Sequence, residues 1–138
     1  MKGEIKMDEI KAGLKGEKSI AVTMDNTAIA MGSGTLRVFA TPAMAALIEG
    51  CCAESIEDLL DEELTTVGTR LELDHLAASP IGASVLCKSV LVAVDDRRLD
   101  FEAEVYDSSE LIGKAKHSRF IVDAQRFFEK AYGKLTNQ

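Results

Sequence analysis

The sequence predicts an α+β domain in which a strongly curved antiparallel sheet wraps around one long central helix. Two observations predict it. The stretch VFATPAMAALIEGCC (38–52) is apolar on nearly every face of a helix, so no side is left for water and the helix has to be enclosed. After residue 63 the pattern changes from helical to alternating, through several strand-like runs separated by tight turn signals. Helices segregated on one side of an antiparallel sheet define the α+β class.

In chain order, SIAVTMD (19–25) reads as a first strand behind a charged lead-in, residues 1–17, that is expected to fray. NTAIAMGSGTLR (26–37) is a glycine-bearing connection whose GSG lacks the Gly-Lys-Ser/Thr of a phosphate loop and reads as a hinged lid. The helix runs from Pro42 to about Ala53, with Thr41 as its cap and proline at the first helical position, where a missing N–H costs nothing. ESIEDLLDEE (54–63) continues as a short acidic helix or loop. In LTTVGTRLELDHLAA (64–78), Val67, Thr69, Leu71, Leu73, His75 and Ala77 share one face and Arg70, Glu72 and Asp74 the other. ASVLCKSVLVAV (83–94) suits a central strand, DDRR (95–98) turns, and LDFEAEVY (99–106) points Leu99, Phe101, Ala103 and Val105 one way. DSSE (107–110) turns again into LIGKAKHSRFIV (111–122), and Asp123 caps a final amphipathic helix, AQRFFEKAYGKL. The whole order describes a hotdog fold.

At 138 residues, 46% hydrophobic and 28% charged, the chain fits one domain (1–138) large enough to bury its own core. A net charge of −7 argues against nucleic acid and against a membrane surface, although one local basic pocket for an anionic small molecule remains compatible with it. No run of about 18 apolar residues exists to span a membrane, and MKGEIKMDEIKAGLKGEKS has no apolar stretch of the kind a signal peptide needs, so a cytoplasmic protein is expected. Cys51, Cys52 and Cys87 make neither a disulfide framework nor a zinc spacing; they read as three small buried side chains, and no metal is expected.

The chemistry lies in three residues. Glu49 stands eight residues beyond Thr41, about 12 Å along a helix, among Ala, Met, Leu and Ile. A carboxylate there is costly unless paired. His75 shares the inward face of its strand with Leu71 and Leu73, and a carboxylate beside it fixes the imidazole tautomer and frees the other nitrogen to act as a base. With the Thr41 hydroxyl, the parts of a nucleophile, base and orienter are present. The spacing demands that His75 bridge Thr41 and Glu49, or that a second chain close the gap.

VFATPAMAALIEGCC, followed by GTRLELDHLAASPIGASV and ELIGKAKHSRFIV (110–122), resembles the fluoroacetyl-CoA thioesterase-like family of hotdog acyl-CoA thioesterases over about residues 18–130. The resemblance implies a catalytic triad of Thr41, Glu49 and His75. It also implies a homodimer with long helices side by side and active sites at the subunit interface, and a Gly68 N–H lining the acyl pocket next to Thr69; the residues alone equally allow Gly68 to be a strand bulge. His117 and Arg119 correspond to family positions near the pocket. The implied reaction is hydrolysis of a short-chain acyl-CoA to free acid and CoA, with no cofactor, since coenzyme A is part of the substrate. One departure is the lid segment AMGSGTLR, small where the family member specialised for fluoroacetyl-CoA carries bulky aromatic groups. Lys114 and Lys116 either meet the CoA phosphates or form a solvated strand face. A non-catalytic acyl-CoA-binding module and an enoyl-CoA hydratase are the alternative functions. For Thr41 itself, a covalent nucleophile and a mere hydrogen-bond donor are both compatible with the sequence.

Overall fold

The computed structural model describes residues 7–136. Its elements are β1 (Lys15–Ala21), α1 (Thr41–Glu57), β2 (Leu64–His75), β3 (Ser84–Asp95), β4 (Arg98–Tyr106), β5 (Leu111–Asp123) and α2 (Ala124–Gly133). The five strands form one antiparallel sheet in the order β1-β3-β4-β5-β2, and α1 packs against every strand of it. The architecture is therefore the one expected, a sheet curled about a helix.

Close approach of helix and sheet depends on two glycines. A Cβ on Gly16 would sit 2.6 Å from Ser55 Cβ and 3.2 Å from the Cys51 carbonyl, and one on Gly113 would sit 2.5 Å from Met44 Sδ. Lacking those atoms, β1 and β5 let α1 settle into the sheet, where Met44, Leu47, Ile48, Cys51, Cys52 and Ile56 are buried. Beneath them lie Val85, Cys87 and Leu91 of β3 and Leu99, Phe101 and Val105 of β4, each 0–1% exposed. The expected face of β4 is thus the observed one. Each such side chain contributes about 1.5–3 kcal/mol on burial.

Several expectations are corrected. The first strand is β1 (Lys15–Ala21), not 19–25, because its partner β3 begins at Ser84, opposite Ala21, and Val22 bonds only the turn residues Ala83 and Gly82 before it. The part of the lead-in from residue 7 onward is ordered by a 3-10 turn at Met7–Glu9 and by burial of Ile10; residues 1–6 lie outside the described residues. Nor is α1 enclosed all round. Thr41, Pro42 and Ala46 are exposed and Ala45, Glu49, Gly50 and Ala53 half-buried, since one sheet covers one side of a helix. Finally, β2 does not keep a single alternation. Gly68 pairs with Arg119 and Arg70 with Ser118, so Thr69 is the extra residue of a bulge. The bulge exchanges the faces, so that Thr66 and Gly68, rather than Val67 and Thr69, share the inner side with Leu71, Leu73 and His75.

On the outer side, the register builds rows of alternating charge. Glu17, Lys88, Glu104, Lys114 and Asp74 stand side by side across the five strands; Glu102, Lys116 and Glu72 do so one step along. Opposite charges on neighbouring strands support the sheet by about 0.2–1 kcal/mol per pair. A recess of about 650 Å³ on this side is lined by four lysines and four carboxylates, a balance that selects no anion. Lys114 and Lys116 belong to these rows, which is the solvated-face alternative.

Candidate active site

Thr41 is not the cap of α1. That position belongs to Ala40, which makes no side-chain bond, and Thr41 is the first helical residue with Pro42 behind it. The approach is pinned: Phe39 N bonds Ser79 O and Ala40 N bonds Asn26 O, each at 2.9 Å, with Phe39 and Ala40 both 1% exposed. Freed from capping, the Thr41 hydroxyl lies 2.7 Å from His75 Nδ1. A hydroxyl donating to the Nδ1 lone pair of an Nε2-protonated ring is the arrangement a general base requires. His75 ends β2 opposite Gly113, and Thr41 is exposed, so the pair opens to solvent.

A second cluster lies further along the helix. Arg119, 8% exposed, donates from Nε to Thr66 Oγ1 (2.8 Å), from Nη2 to Thr66 O (3.0 Å) and from Nη1 to His117 Nε2 (3.1 Å). His117, 3% exposed, has Nδ1 2.7 Å from the Arg70 carbonyl. Gly68 faces both, and a Cβ there would meet His117 Cε1 at 3.1 Å, Arg119 Nη1 at 3.2 Å and Glu49 Oε1 at 3.4 Å. Burial and the neighbouring guanidinium hold His117 below the usual imidazole value, against the opposing pull of the Arg70 carbonyl and Glu49. Burial lowers Arg119 as well, partly offset by Glu49, but a guanidinium stays charged.

The sequence-predicted residues therefore fall into two groups. Thr41 and His75 meet; Glu49, Gly68, His117 and Arg119 meet. Within the chain Glu49 faces Arg119 and His117, two helical turns from Thr41, while the side-chain hydrogen bond of His75 goes to Thr41. Thr69 belongs to neither, because the bulge turns its hydroxyl onto the Ser118 carbonyl at 3.2 Å. Sequence reasoning missed Thr66, which fixes Arg119. It also missed Ser79, fully buried, whose hydroxyl donates to Asp107 Oδ2 at 2.7 Å and ties the β4–β5 turn to the loop beneath Phe39. A Gly-Thr pair inside a strand is a bulge signal, and it was the available clue to Thr66.

The three thiols are free and buried. Cys51 Sγ lies 3.5 Å from Ser89 Oγ, and desolvation pushes the Cys52 thiol up to about 12. Among the described residues no three His, Cys, Asp or Glu side chains gather as metal ligands, and no helix is long and apolar enough to cross a membrane.

Comparison with known proteins places this geometry in context. The family model described as fluoroacetyl-CoA-specific thioesterase, FlK, matches residues 22–125. The fluoroacetyl-CoA thioesterase of Streptantibioticus cattleyicolor is 31% identical over 93 residues, 67% of each chain. A solved structure of the fluoroacetyl-CoA thioesterase FlK superposes with a TM-score of 0.86 at 25% identity, covering 91% of this chain and 97% of that one. A hot-dog-like protein from Thermanaerovibrio acidaminovorans shares the fold, with a TM-score of 0.82 at 18% identity over 89% and 91% of the two chains. The arrangement is a hotdog fold, and the chain belongs to the fluoroacetyl-CoA-specific thioesterase family.

Proposed function

We propose that the protein hydrolyses a short-chain acyl-CoA thioester to the free acid and CoA. The observation that carries this reading is the 2.7 Å contact between Thr41 Oγ1 and His75 Nδ1 at the exposed mouth of α1, in a chain of this family. His75 takes the Thr41 proton as the oxygen attacks the thioester carbonyl carbon. The C–S bond then breaks, and the same proton leaves with the CoA sulfur. Water, deprotonated by His75, attacks the acyl-threonine ester, releasing the acid and restoring the hydroxyl. Gly68 and Arg119 line the acyl pocket, where a backbone N–H and a guanidinium favour negative charge developing on the carbonyl oxygen.

Glu49 enters from a second copy of the chain. Nδ1 of His75 is occupied by Thr41, leaving Nε2–H for a carboxylate, and the half-exposed flank of α1 is built of residues small enough for two helices to lie side by side. The lid segment 30–37 contains no aromatic residue, which suits a short acyl group without selection for fluorine. The test is a panel of acetyl-, branched-, aromatic- and fluoroacetyl-CoA assayed for thiol release, with crotonyl-CoA followed for hydration and His75→Ala as control. Thiol release above the control supports the reading; an intact panel ends it, and hydration of crotonyl-CoA without thiol release replaces it.

A further inference from the structure

We propose that His117 is a positioning residue, working as the neutral Nδ1-protonated tautomer, which aims Arg119 at Gly68. Its two hydrogen bonds leave no choice of tautomer. The Arg70 carbonyl only accepts, so Nδ1 must carry the proton; the Arg119 guanidinium only donates, so Nε2 must offer its lone pair. A proton on Nε2 would turn N–H against N–H and set two cations 3.1 Å apart.

Glu49 is the one acid that acts on the ring, and its pull toward protonation is outweighed by burial and by the Arg119 guanidinium. From α1, Glu49 faces both His117 and Arg119 and the protonated Cys52 faces Arg119; β2 offers the Arg70 carbonyl and Thr66, β4 offers the Phe101 ring at 6.5 Å between centroids, and β5 offers Arg119. Three of the five guanidinium N–H groups are spent on Thr66 and His117. One hydrogen remains on Nη1 and one on Nη2. Nη1 is 3.2 Å from the point that a Gly68 Cβ would fill, and Glu49 Oε1 is 3.4 Å from that point. The ion pairs within 4 Å among the described residues are Lys18–Glu54, Arg70–Glu72 and Arg98–Asp100. Arg119 is in none of them. A buried cation is thus held against Gly68 with donors to spare, and His117 fixes its direction. His117 itself has no free nitrogen for substrate and moves no proton.

The consequence for catalysis rests on the thioesterase reading; the tautomer does not. Because the chain has two histidines, a long-range proton–nitrogen spectrum of the whole protein contains two imidazoles, and His75→Ala assigns them. The expected result is that His117 shows a protonated Nδ1 and an unprotonated Nε2, and stays neutral as pH falls below the ordinary histidine value of about 6.5. An Nε2–H tautomer, or titration at that ordinary value, overturns the proposal. The kinetic arm compares His117→Gln, whose amide oxygen reaches the Nε2 position, with His117→Asn, which reaches only Nδ1. Asn is expected to lose roughly tenfold to hundredfold in kcat/KM on a hydrolysed acyl-CoA. Gln is expected to keep most of it, at matched thermal stability. Equal losses in the two variants overturn the positioning role. If wild-type protein hydrolyses nothing, the thioesterase reading fails while the spectrum still decides the tautomer.

Discussion

Gly68→Ala tests the second cluster most sharply. The added Cβ would stand 3.1 Å from His117 Cε1, 3.2 Å from Arg119 Nη1 and 3.4 Å from Glu49 Oε1, where ordinary carbon contacts are about 3.5–4.0 Å. His117 and Arg119 must give way by a few tenths of an ångström, yet four hydrogen bonds of 2.7–3.1 Å clamp them. Overpacking of this kind costs about 1–3 kcal/mol. Gly68 is not among the positive-φ glycines, which among the described residues are Gly13, Gly32 and Gly82, so alanine adds no backbone strain and stabilises by about 0.4–1 kcal/mol through the unfolded chain. The net loss is about 1 kcal/mol, a fall in Tm of about 4 °C for a domain of this size. Function should suffer more, because displacing a group that acts on the reacting centre by even ~1 Å can cost 100-fold. Thiol release from a hydrolysed acyl-CoA, run beside a thermal melt, is expected to show kcat/KM down by at least about tenfold with a small Tm change. A kcat/KM within about twofold of wild type would remove Gly68 and its neighbours from the acyl pocket.

Three other outcomes follow from the same geometry. Thr41→Val and Glu49→Gln protein, each inactive alone, should recover activity when refolded together, because in the proposed dimer a mixed pair keeps one site with Thr41, His75 and the other chain's Glu49 intact; no recovery places Glu49 in its own chain's chemistry. The Ser79 hydroxyl first, and then the Ser109 and Glu110 N–H groups, hold the Asp107 carboxyl below the usual range. A depressed carboxyl stabilises above its unfolded value of about 3.9, and that contribution disappears as pH falls through the folded value. Urea midpoints of Asp107→Asn should therefore change less than wild type on acidification through that window. Asp123 accepts from Arg126 N at 3.0 Å as the cap of α2, so Asp123→Ala should cost about 1 kcal/mol and speed amide exchange in α2 while leaving kcat unchanged.

Much of the fold was legible because periodicity reports burial. The alternation of Leu99, Phe101, Ala103 and Val105 and the Asp123 cap stand where the sequence put them. The pairing of Thr41 with His75 was legible for a related reason, since a helix start and the inward end of the following strand are local properties. A strand bulge was one of the two readings of Gly68; what was not legible is what that one inserted residue does to the strand. The bulge at Thr69 exchanges the faces of β2, and only then do Thr66 and Gly68 meet Arg119. Spacing along α1 stated that Glu49 lies two turns from Thr41, but not which strand residues would face it. Composition also hid the open flank of α1, because alanine and glycine look apolar whether they meet a core or another helix. The reverse holds for α2, whose amphipathic pattern is plain while Phe127, Phe128 and Tyr132 are 47–58% exposed.

The central claim is that Thr41 and His75 act as one unit on a thioester. The measurement that tests it most directly is a double-mutant cycle of Thr41→Val and His75→Ala, read as kcat for thiol release from the best acyl-CoA in the panel. Groups that work as a unit are non-additive, so the double variant is predicted to lose no more than either single one. Losses that multiply, or a Thr41→Val enzyme that turns over at the wild-type rate, would contradict the account.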